Sequence, residues 1–96
     1  MSDIQTTELI VSHAAGLHMR PATLFVQTAA RFQSSIKLTN LDRANSTSAD
    51  AKSMFNVMML GVKQGNRILV EASGADAAEA LAALSALVAR DFEEQA

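Results

Sequence analysis

The amino-acid sequence predicts one small domain, over residues 1–96, in which strands and helices follow one another in the order βαββαβα. Three observations lead to this prediction. The hydrophobic pattern changes to a helical period at Pro21, apolar and polar residues alternate over 34–40, and one apolar stripe runs through the alanine-rich end of the chain. A chain of this length buries about two-thirds of its unfolded surface, so we expect it to fold alone.

The first half of the chain contains three predicted elements and one polar segment. Residues 6–12 are prone to form a strand that stops at Ala14-Ala15-Gly16. A helix is predicted to begin at Pro21, which has no N–H to leave unbonded and a φ close to the helical value. Residues 34–40 are predicted to form a half-buried strand, and the polar residues 41–48 a turn with a short third strand. The helix is predicted to pack on the sheet through Leu24, Phe25, Thr28, Ala29 and Phe32.

The second half contains two predicted helices and one strand. Ser53 precedes the apolar residues 54–60 and Gly61 follows them, which predicts a short helix with Ser53 as its N-cap. A turn at 64–66 leads into a strand over 67–72. Asp76 and Glu79 have the spacing of a capping box and open the last helix. The predicted buried stripe of that helix consists of Ala77, Ala80, Leu81, Leu84, Leu87 and Val88.

The composition argues against several classes of function. The chain has no cysteine, which rules out disulfides and thiolate metal sites, and its net charge of −2 gives no basic footprint for nucleic acid. No apolar run approaches the ~18 residues of a membrane span, and no signal sequence opens the chain. His13 is interpreted as a surface residue at the end of the first strand, without the neighbours that would complete a metal site with His18. We expect a cytoplasmic protein with protein partners and no membrane, nucleic acid or metal.

The segment Gly16-Leu17-His18-Met19-Arg20-Pro21-Ala22 places a histidine at the start of the first predicted helix. His18 lies at or next to the N-cap, where unpaired backbone N–H groups and the positive end of the helix dipole form an anion site. Arg20 adds a cation, and Gly16 permits a sharp turn that projects the imidazole outward. Neutral imidazole has a nitrogen lone pair that attacks phosphorus without a separate base. Taken alone, His18 is first a solvated N-cap residue, but its neighbours favour phosphoryl transfer.

A second motif is Lys52-Ser53-Met54-Phe55-Asn56-Val57-Met58-Met59-Leu60-Gly61. Together with residues 16–22 it resembles the two signature motifs of HPr, the histidine-containing phosphocarrier family of the phosphoenolpyruvate-dependent sugar phosphotransferase system. Two motifs that occur in the same order as in the family are specific evidence for it, whereas a lone His-X-Arg-Pro motif is weak evidence. The resemblance covers nearly the whole chain and implies an α+β open-faced sandwich. In that fold a four-stranded antiparallel sheet is covered on one face by three helices.

The resemblance also implies a function, that of a phosphocarrier and not of an enzyme. His18 would carry the phosphoryl group on Nδ1 with Arg20 beside it, and Gly16, Met19 and Pro21 would position the phosphate. The group would come from enzyme I, itself charged by phosphoenolpyruvate, and would pass to enzyme IIA components. We expect a monomer that needs no cofactor.

Ser53 matches a serine that an ATP-dependent kinase phosphorylates in some bacteria of the family. The resemblance therefore leaves open two further partners, an HPr serine kinase/phosphorylase and a transcriptional regulator. Phosphate on Ser53 would add about −1.5 to −2 charges at a helix N-terminus, which is expected to repel acidic partners without unfolding the helix. With or without a kinase, Ser53 is expected to be the N-cap.

The chain departs from the family pattern in three places. Met19 replaces the usual alanine and adds apolar bulk beside the histidine. Ala15 stands where Ser or Asn is common, so a side-chain hydrogen bond that would hold the active-site turn is unavailable. The interval from His18 to Ser53 is longer than usual, and we place the extra length between Asn40 and Asp50.

The short second helix is predicted to supply a partner interface. A helix of about two turns cannot turn all of its methionines inward, and the helical period points Val57 and Leu60 to the core. Flexible methionines suit a surface that accepts several partners. The alternative is that these side chains are core. The predicted interface consists of Met54, Phe55 and Met58, extended by Met19, Thr23 and Gln27.

Other functions are compatible with parts of the sequence. A carrier of a regulatory branch, related to nitrogen control or to dihydroxyacetone kinase, would use the same histidine. A regulator that acts only through Ser53 would lack the active-site histidine, and His18 is present. An RNA-binding module is disfavoured, because the predicted strands contain no Phe and the net charge is negative. A metabolite-binding module would need a dimer and a pocket, which the sequence does not indicate.

Overall fold

The described part of the chain contains four strands and three helices in the predicted order. The structure is a computed structural model and describes residues 4–93. The strands are β1 (Ile4–Ile10), β2 (Ser35–Asn40), β3 (Ala49–Asp50) and β4 (Arg67–Ser73), and the helices are α1 (Met19–Ala30), α2 (Met54–Met59) and α3 (Ala77–Ala89). The order βαββαβα is confirmed.

The strands form one antiparallel sheet in the order β1-β4-β2-β3. Because side chains alternate across a strand, β4 buries Ile68, Val70 and Ala72 on one face. On this covered side α3 packs on β1 and β4, and α1 packs against α2 and α3. The predicted open-faced sandwich is confirmed.

The core between sheet and helices is mainly aliphatic, with Phe25 its largest fully buried side chain. All six residues of the predicted stripe on α3 are buried, because they recur at helical spacing on the face toward the sheet. On α1, Phe25 and Ala29 are buried and Leu24 and Thr28 are partly buried. Phe32, predicted on the same helix face, is partly buried but lies just beyond the end of α1. Among the described residues, no helix has the length and apolar character needed to cross a membrane.

The first strand was predicted two residues too late. The strand β1 ends at Ile10, opposite Arg67, where β4 begins after the 63–66 turn. Val11 lies beside that turn and is hydrogen-bonded to it. Its carbonyl accepts the Gly65 N–H at 2.6 Å, and its N–H donates to the Asn66 carbonyl at 2.9 Å. The end of β1 is therefore set by the start of its partner strand.

The third strand lies after the segment in which it was predicted. Residues 41–48 contain turns and no strand, and the two residues of β3 pair with Leu38 and Lys37 of β2. The segment is anchored by the buried Asn40, whose Nδ2 donates to the Leu60 carbonyl at 3.1 Å and whose Oδ1 accepts the Asp42 N–H at 3.0 Å. These bonds hold the start of the 41–48 segment next to the end of α2.

Asp76 is the N-cap of α3, but the predicted capping box is wrong. The Asp76 side chain makes no hydrogen bond to the helix. It accepts the backbone N–H groups of Gln33 and Ser34, each at 2.9 Å, and also the Ser34 hydroxyl. The Ser34 hydroxyl and the Gln33 N–H hold the pKa of the Asp76 carboxyl below its usual range. The carboxylate thus ties the start of α3 to the connection between α1 and β2.

Candidate functional site

His18 is the N-cap of α1, with extended backbone (φ −122°, ψ 154°) and an exposed side chain. The helix begins at Met19, two residues before the predicted start, and Pro21 lies in its first turn. Leu17 anchors the preceding backbone, because its side chain is fully buried and its N–H donates to the Val62 carbonyl at 3.0 Å. A buried residue thus precedes the exposed histidine directly.

Gly16 forms the turn that leads into this site. It has a φ of +61°, and a Cβ at this position would lie 2.2 Å from the Val62 carbonyl oxygen. Its N–H donates to the His13 carbonyl at 2.9 Å. Both the left-handed backbone and the close approach of residue 62 require glycine, as predicted for this turn.

The start of α1 has backbone N–H groups that no side chain within residues 4–93 is seen to cap. The first N–H groups of a helix have no acceptor within the helix, and the His18 side chain makes no capping bond to them. The first turn also contains no acidic residue. The positive end of the helix dipole therefore faces the histidine, in the arrangement that binds anions in many proteins. Arg20 is exposed on the same first turn.

Met19 has an unusual backbone that the sequence did not predict. Its φ is +54°, in the left-handed region that costs a residue with a side chain about 1–3 kcal/mol. Its carbonyl accepts the Thr23 hydroxyl at 3.0 Å, and its side chain is 73% exposed. No residue pattern signals such a conformation.

The second motif forms α2, and Ser53 is its N-cap as predicted. The Ser53 hydroxyl oxygen accepts the Asn56 N–H at 3.3 Å. Val57 is fully buried and Leu60 is 6% exposed, so the predicted inward pair is confirmed. The cap satisfies one of the unpaired N–H groups at the start of this short helix.

The outward face of α2 differs from the prediction. Phe55 is 71% exposed as predicted, but Met54 and Met58 are only partly exposed and pack against the core. Met54 faces α1, where its Sδ lies 3.9 Å from the Thr23 hydroxyl. Met59, which is not part of the predicted interface, is 62% exposed. Residues four apart share a helix face, so Phe55 and Met59 form the outer row and Met54 and Met58 the inner one.

His13 does not end a strand and is only partly exposed. Its Nδ1 accepts the Ala15 N–H at 3.0 Å, and its ring meets Phe92 edge-on with centroids 5.9 Å apart. The bond matters because Ala15 has no side-chain donor or acceptor of its own. His13 therefore holds the turn before Gly16, a role that its position in the sequence did not reveal.

Comparisons with known proteins agree with this geometry. The family model described as the PTS HPr component phosphorylation site matches residues 5–90. The multiphosphoryl transfer protein of Escherichia coli O157:H7 is 40% identical over 94 residues, which are 98% of this chain and 25% of that protein. This chain therefore spans about a quarter of the length of that relative.

Two solved structures extend the comparison. HPr-C-His from Thermoanaerobacter tengcongensis superposes with a TM-score of 0.85 at 39% identity, over 96% of this chain and 99% of that one. A phosphocarrier protein HPr from Bacillus anthracis str. Ames gives 0.81 at 37% identity, over 90% and 98% of the two chains. The chain belongs to the HPr family of phosphocarrier proteins.

This membership confirms the family that the two motifs predict. The structure places the two HPr motifs, residues 16–22 and 52–61, at adjacent helices, because α1 packs against α2. Met19, next to His18, and Phe55 and Met59, on the outer row of α2, are the most exposed apolar side chains of these two helices. Gln27 is exposed on α1, as expected for an interface residue.

Proposed function

We propose that His18 accepts a phosphoryl group from enzyme I, charged by phosphoenolpyruvate, and passes it to enzyme IIA components. The observation that carries the proposal is the position of His18. It is an exposed N-cap residue above backbone N–H groups that no described side chain caps. Uncapped N–H groups and the helix dipole favour the negative charge that arrives with the phosphoryl group.

The transfer needs little chemistry from the protein. The imidazole nitrogen lone pair forms the new bond to phosphorus while the bond from phosphorus to the donor breaks, and its electron pair stays with the donor. Charge on the moving phosphoryl group is spread over its equatorial oxygens, so positioning and electrostatics account for most of the acceleration. The reverse of this step, on a second protein, unloads the carrier.

Arg20 is proposed to hold the phosphoryl oxygens. Its guanidinium is planar and always charged, and it donates to two oxygens of one phosphoryl group. Gly16 and Pro21 are proposed to position the group through the backbone, by the turn before the histidine and by the start of the helix. Arg20→Ala is expected to slow transfer with the fold intact, whereas Arg20→Lys retains charge without the bidentate geometry. Equal rates for both variants and the parent protein would remove Arg20 from this role.

The test of the main proposal is phosphorylation by a defined donor. The protein is incubated with enzyme I and phosphoenolpyruvate, and its intact mass is measured before and after mild acid. We expect one acid-labile phosphoryl group, lost in His18→Ala and retained in His13→Ala, which removes the only other histidine of the chain. Full labelling of His18→Ala would contradict the proposal.

We propose that phosphorylation of Ser53 regulates the approach of partners to the helices α1 and α2. Ser53 is the N-cap of α2, two residues before the exposed Phe55. A phosphate there adds about −1.5 to −2 charges at a helix N-terminus. The charge suits the helix dipole but opposes the approach of acidic partners. Ser53→Asp is therefore expected to lower the rate of labelling by enzyme I without lowering the thermal midpoint. An unchanged rate would count against this regulation.

A further inference from the structure

His13 accepts two successive backbone N–H groups of the turn that leads to His18. Its carbonyl accepts the Gly16 N–H at 2.9 Å, and its Nδ1 accepts the Ala15 N–H at 3.0 Å. The turn is followed directly by the buried Leu17 and then by His18. One residue therefore fixes, through its backbone and its side chain, the path by which the chain reaches the phosphoacceptor.

The end of α3 holds the imidazole of His13 in place. Asp91 and Phe92 have left-handed φ values of +56° and +61°. The Phe92 N–H donates to the Leu87 carbonyl at 2.9 Å. The Asp91 N–H donates to the Val88 carbonyl at 3.0 Å, which completes the bond pattern of a Schellman motif. This motif turns the chain back, so that Phe92 is only 5% exposed and its ring packs edge-on against the ring of His13.

The bond to Ala15 requires one protonation state of His13. A ring nitrogen accepts a hydrogen bond only when it carries no proton, so this bond is made by the neutral tautomer with its hydrogen on Nε2. A proton on Nδ1 turns the acceptor into a second donor that faces the Ala15 N–H. Among the side chains, histidine is the one whose charge ordinarily changes between about pH 5 and about pH 8. The bond is therefore one that a proton breaks.

The segments around His13 carry several charged or titratable groups. Within residues 4–93, no carboxylate forms an ion pair with His13. The groups at the end of α3, in the 63–66 turn and on the same loop are all exposed, and they are Arg90, Asp91, Glu93, Lys63 and His18. Solvent and salt screen exposed charges, so these groups leave the bond to Ala15 governed mainly by the proton on His13 itself.

We propose that His13 is a positioning residue for phosphoryl transfer at His18 and that it acts only in its neutral form. This inference rests on the proposed function, because the group that it positions is the phosphoacceptor. Neutral His13 keeps the Ala15 N–H bonded and the turn in one conformation. Protonated His13 releases that N–H to water, and the turn then no longer aligns the imidazole of His18 for transfer. Loading of the carrier is therefore expected to slow in acid by more than protonation of His18 alone explains.

The first test compares two substitutions of His13. Asparagine presents Oδ1 at the same number of bonds from Cα as Nδ1 of histidine, and its side chain readily binds the backbone N–H two residues on. His13→Asn therefore keeps an acceptor that does not titrate, whereas His13→Ala removes it. Labelling by enzyme I and phosphoenolpyruvate is measured as kcat/KM at about pH 8, where histidine is neutral. We expect His13→Asn to remain within about twofold of the parent and His13→Ala to be about 2- to 10-fold slower.

The second test repeats the measurement at about pH 5.5, where histidine is mostly charged. His18 and enzyme I titrate in the same way with all three proteins, so the ratio of each variant to the parent isolates the effect of His13. We expect His13→Asn to be about 2- to 10-fold faster than the parent at this pH, and His13→Ala to approach the parent. Circular dichroism at both pH values verifies that each protein is folded.

A third readout needs no phosphodonor. The amide proton shift of Ala15, followed by NMR in a pH titration, is expected to change with protonation of His13 in the parent and to stay constant over that range in His13→Asn. A ratio of His13→Asn to parent that is equal at both pH values would overturn the requirement for the neutral form. Parent rates for His13→Ala at about pH 8 would overturn the positioning role. If the unchanged protein acquires no phosphoryl group on His18 at either pH, the proposed function itself fails, and the Ala15 titration still shows whether the proton breaks the bond.

Discussion

Replacing Gly16 with alanine tests whether the turn before His18 depends on the close approach of two backbones. Alanine at a φ of +61° costs about 1–2 kcal/mol in the left-handed region. Its methyl group would also lie 2.2 Å from the Val62 carbonyl oxygen and 2.9 Å from the Lys63 Cα. Because that carbonyl accepts the Leu17 N–H at 3.0 Å, relief of the clash disrupts this bond and moves the buried Leu17.

The expected loss of stability combines these effects. The free energy lost with the hydrogen bond is about 0.5–1.5 kcal/mol, in addition to the cost of the left-handed backbone. Displacement of the buried Leu17 increases the loss further. We expect a total of about 2–4 kcal/mol, which corresponds to a fall in Tm of roughly 8–30 °C for a domain of this size. Labelling of His18 is expected to slow as well, since the histidine follows Leu17 directly.

Gly65→Ala is the matched control for this experiment. Its φ is +87°, but apart from Gly65 itself and its two chain neighbours, no atom of residues 4–93 lies within 4 Å of the position its Cβ would take. The control therefore carries the conformational strain alone, about 1 kcal/mol after the lower entropy of the unfolded alanine variant is included. Thermal and urea unfolding of both variants give the difference. Losses that agree within about 0.5 kcal/mol would refute the argument from close approach.

Three further substitutions test other parts of the structure. The pKa of Asp76 is lowered by folding, so its stabilisation is present above about pH 4 and is lost as pH falls through the folded-state value. Asp76→Asn is therefore expected to lower the urea midpoint at neutral pH and to approach the parent near pH 3; an equal deficit at both pH values would contradict this. His13→Ala removes the acceptor of the Ala15 N–H, and we expect a loss of about 1 kcal/mol and a severalfold slower labelling of His18. Unchanged kinetics, together with unchanged hydrogen exchange at Ala15, would exclude that role. Ser53→Ala removes the bond to the Asn56 N–H and is expected to cost about 0.5–1 kcal/mol, seen as a lower Tm; no shift would mean that the cap does not stabilise α2.

The kinds of elements were predictable because local patterns determine them. The change from alternation to a helical period identified α1, and the spacing of apolar residues on α3 identified all of its buried positions. The ends of strands were less predictable, because pairing decides them. The strand β1 stops where β4 begins, and β3 lies where residues 49 and 50 meet β2.

The site was predictable where one residue type fits one backbone requirement. Gly16 and the N-cap Ser53 are such positions, and both were found from the sequence. Asp76 also has the sequence pattern of a capping residue, but its carboxylate does not bond to α3. It binds the connection before β2, where three hydrogen-bond donors are available. The division of α2 into an inner and an outer row depended on where α1 packs, which helical periodicity alone does not show.

The backbone around His18 combines rigid support with weak binding of charge. Leu17 on one side and Pro21 on the other are buried, so the three exposed residues between them are held at both ends. This support allows Met19 to keep a left-handed φ that costs about 1–3 kcal/mol on its own. The helix terminus favours a negative charge by only about 0.3–1 kcal/mol, or up to ~2 in good geometry. A carrier requires this balance, because a site that bound phosphate much more strongly would slow its release to the next protein.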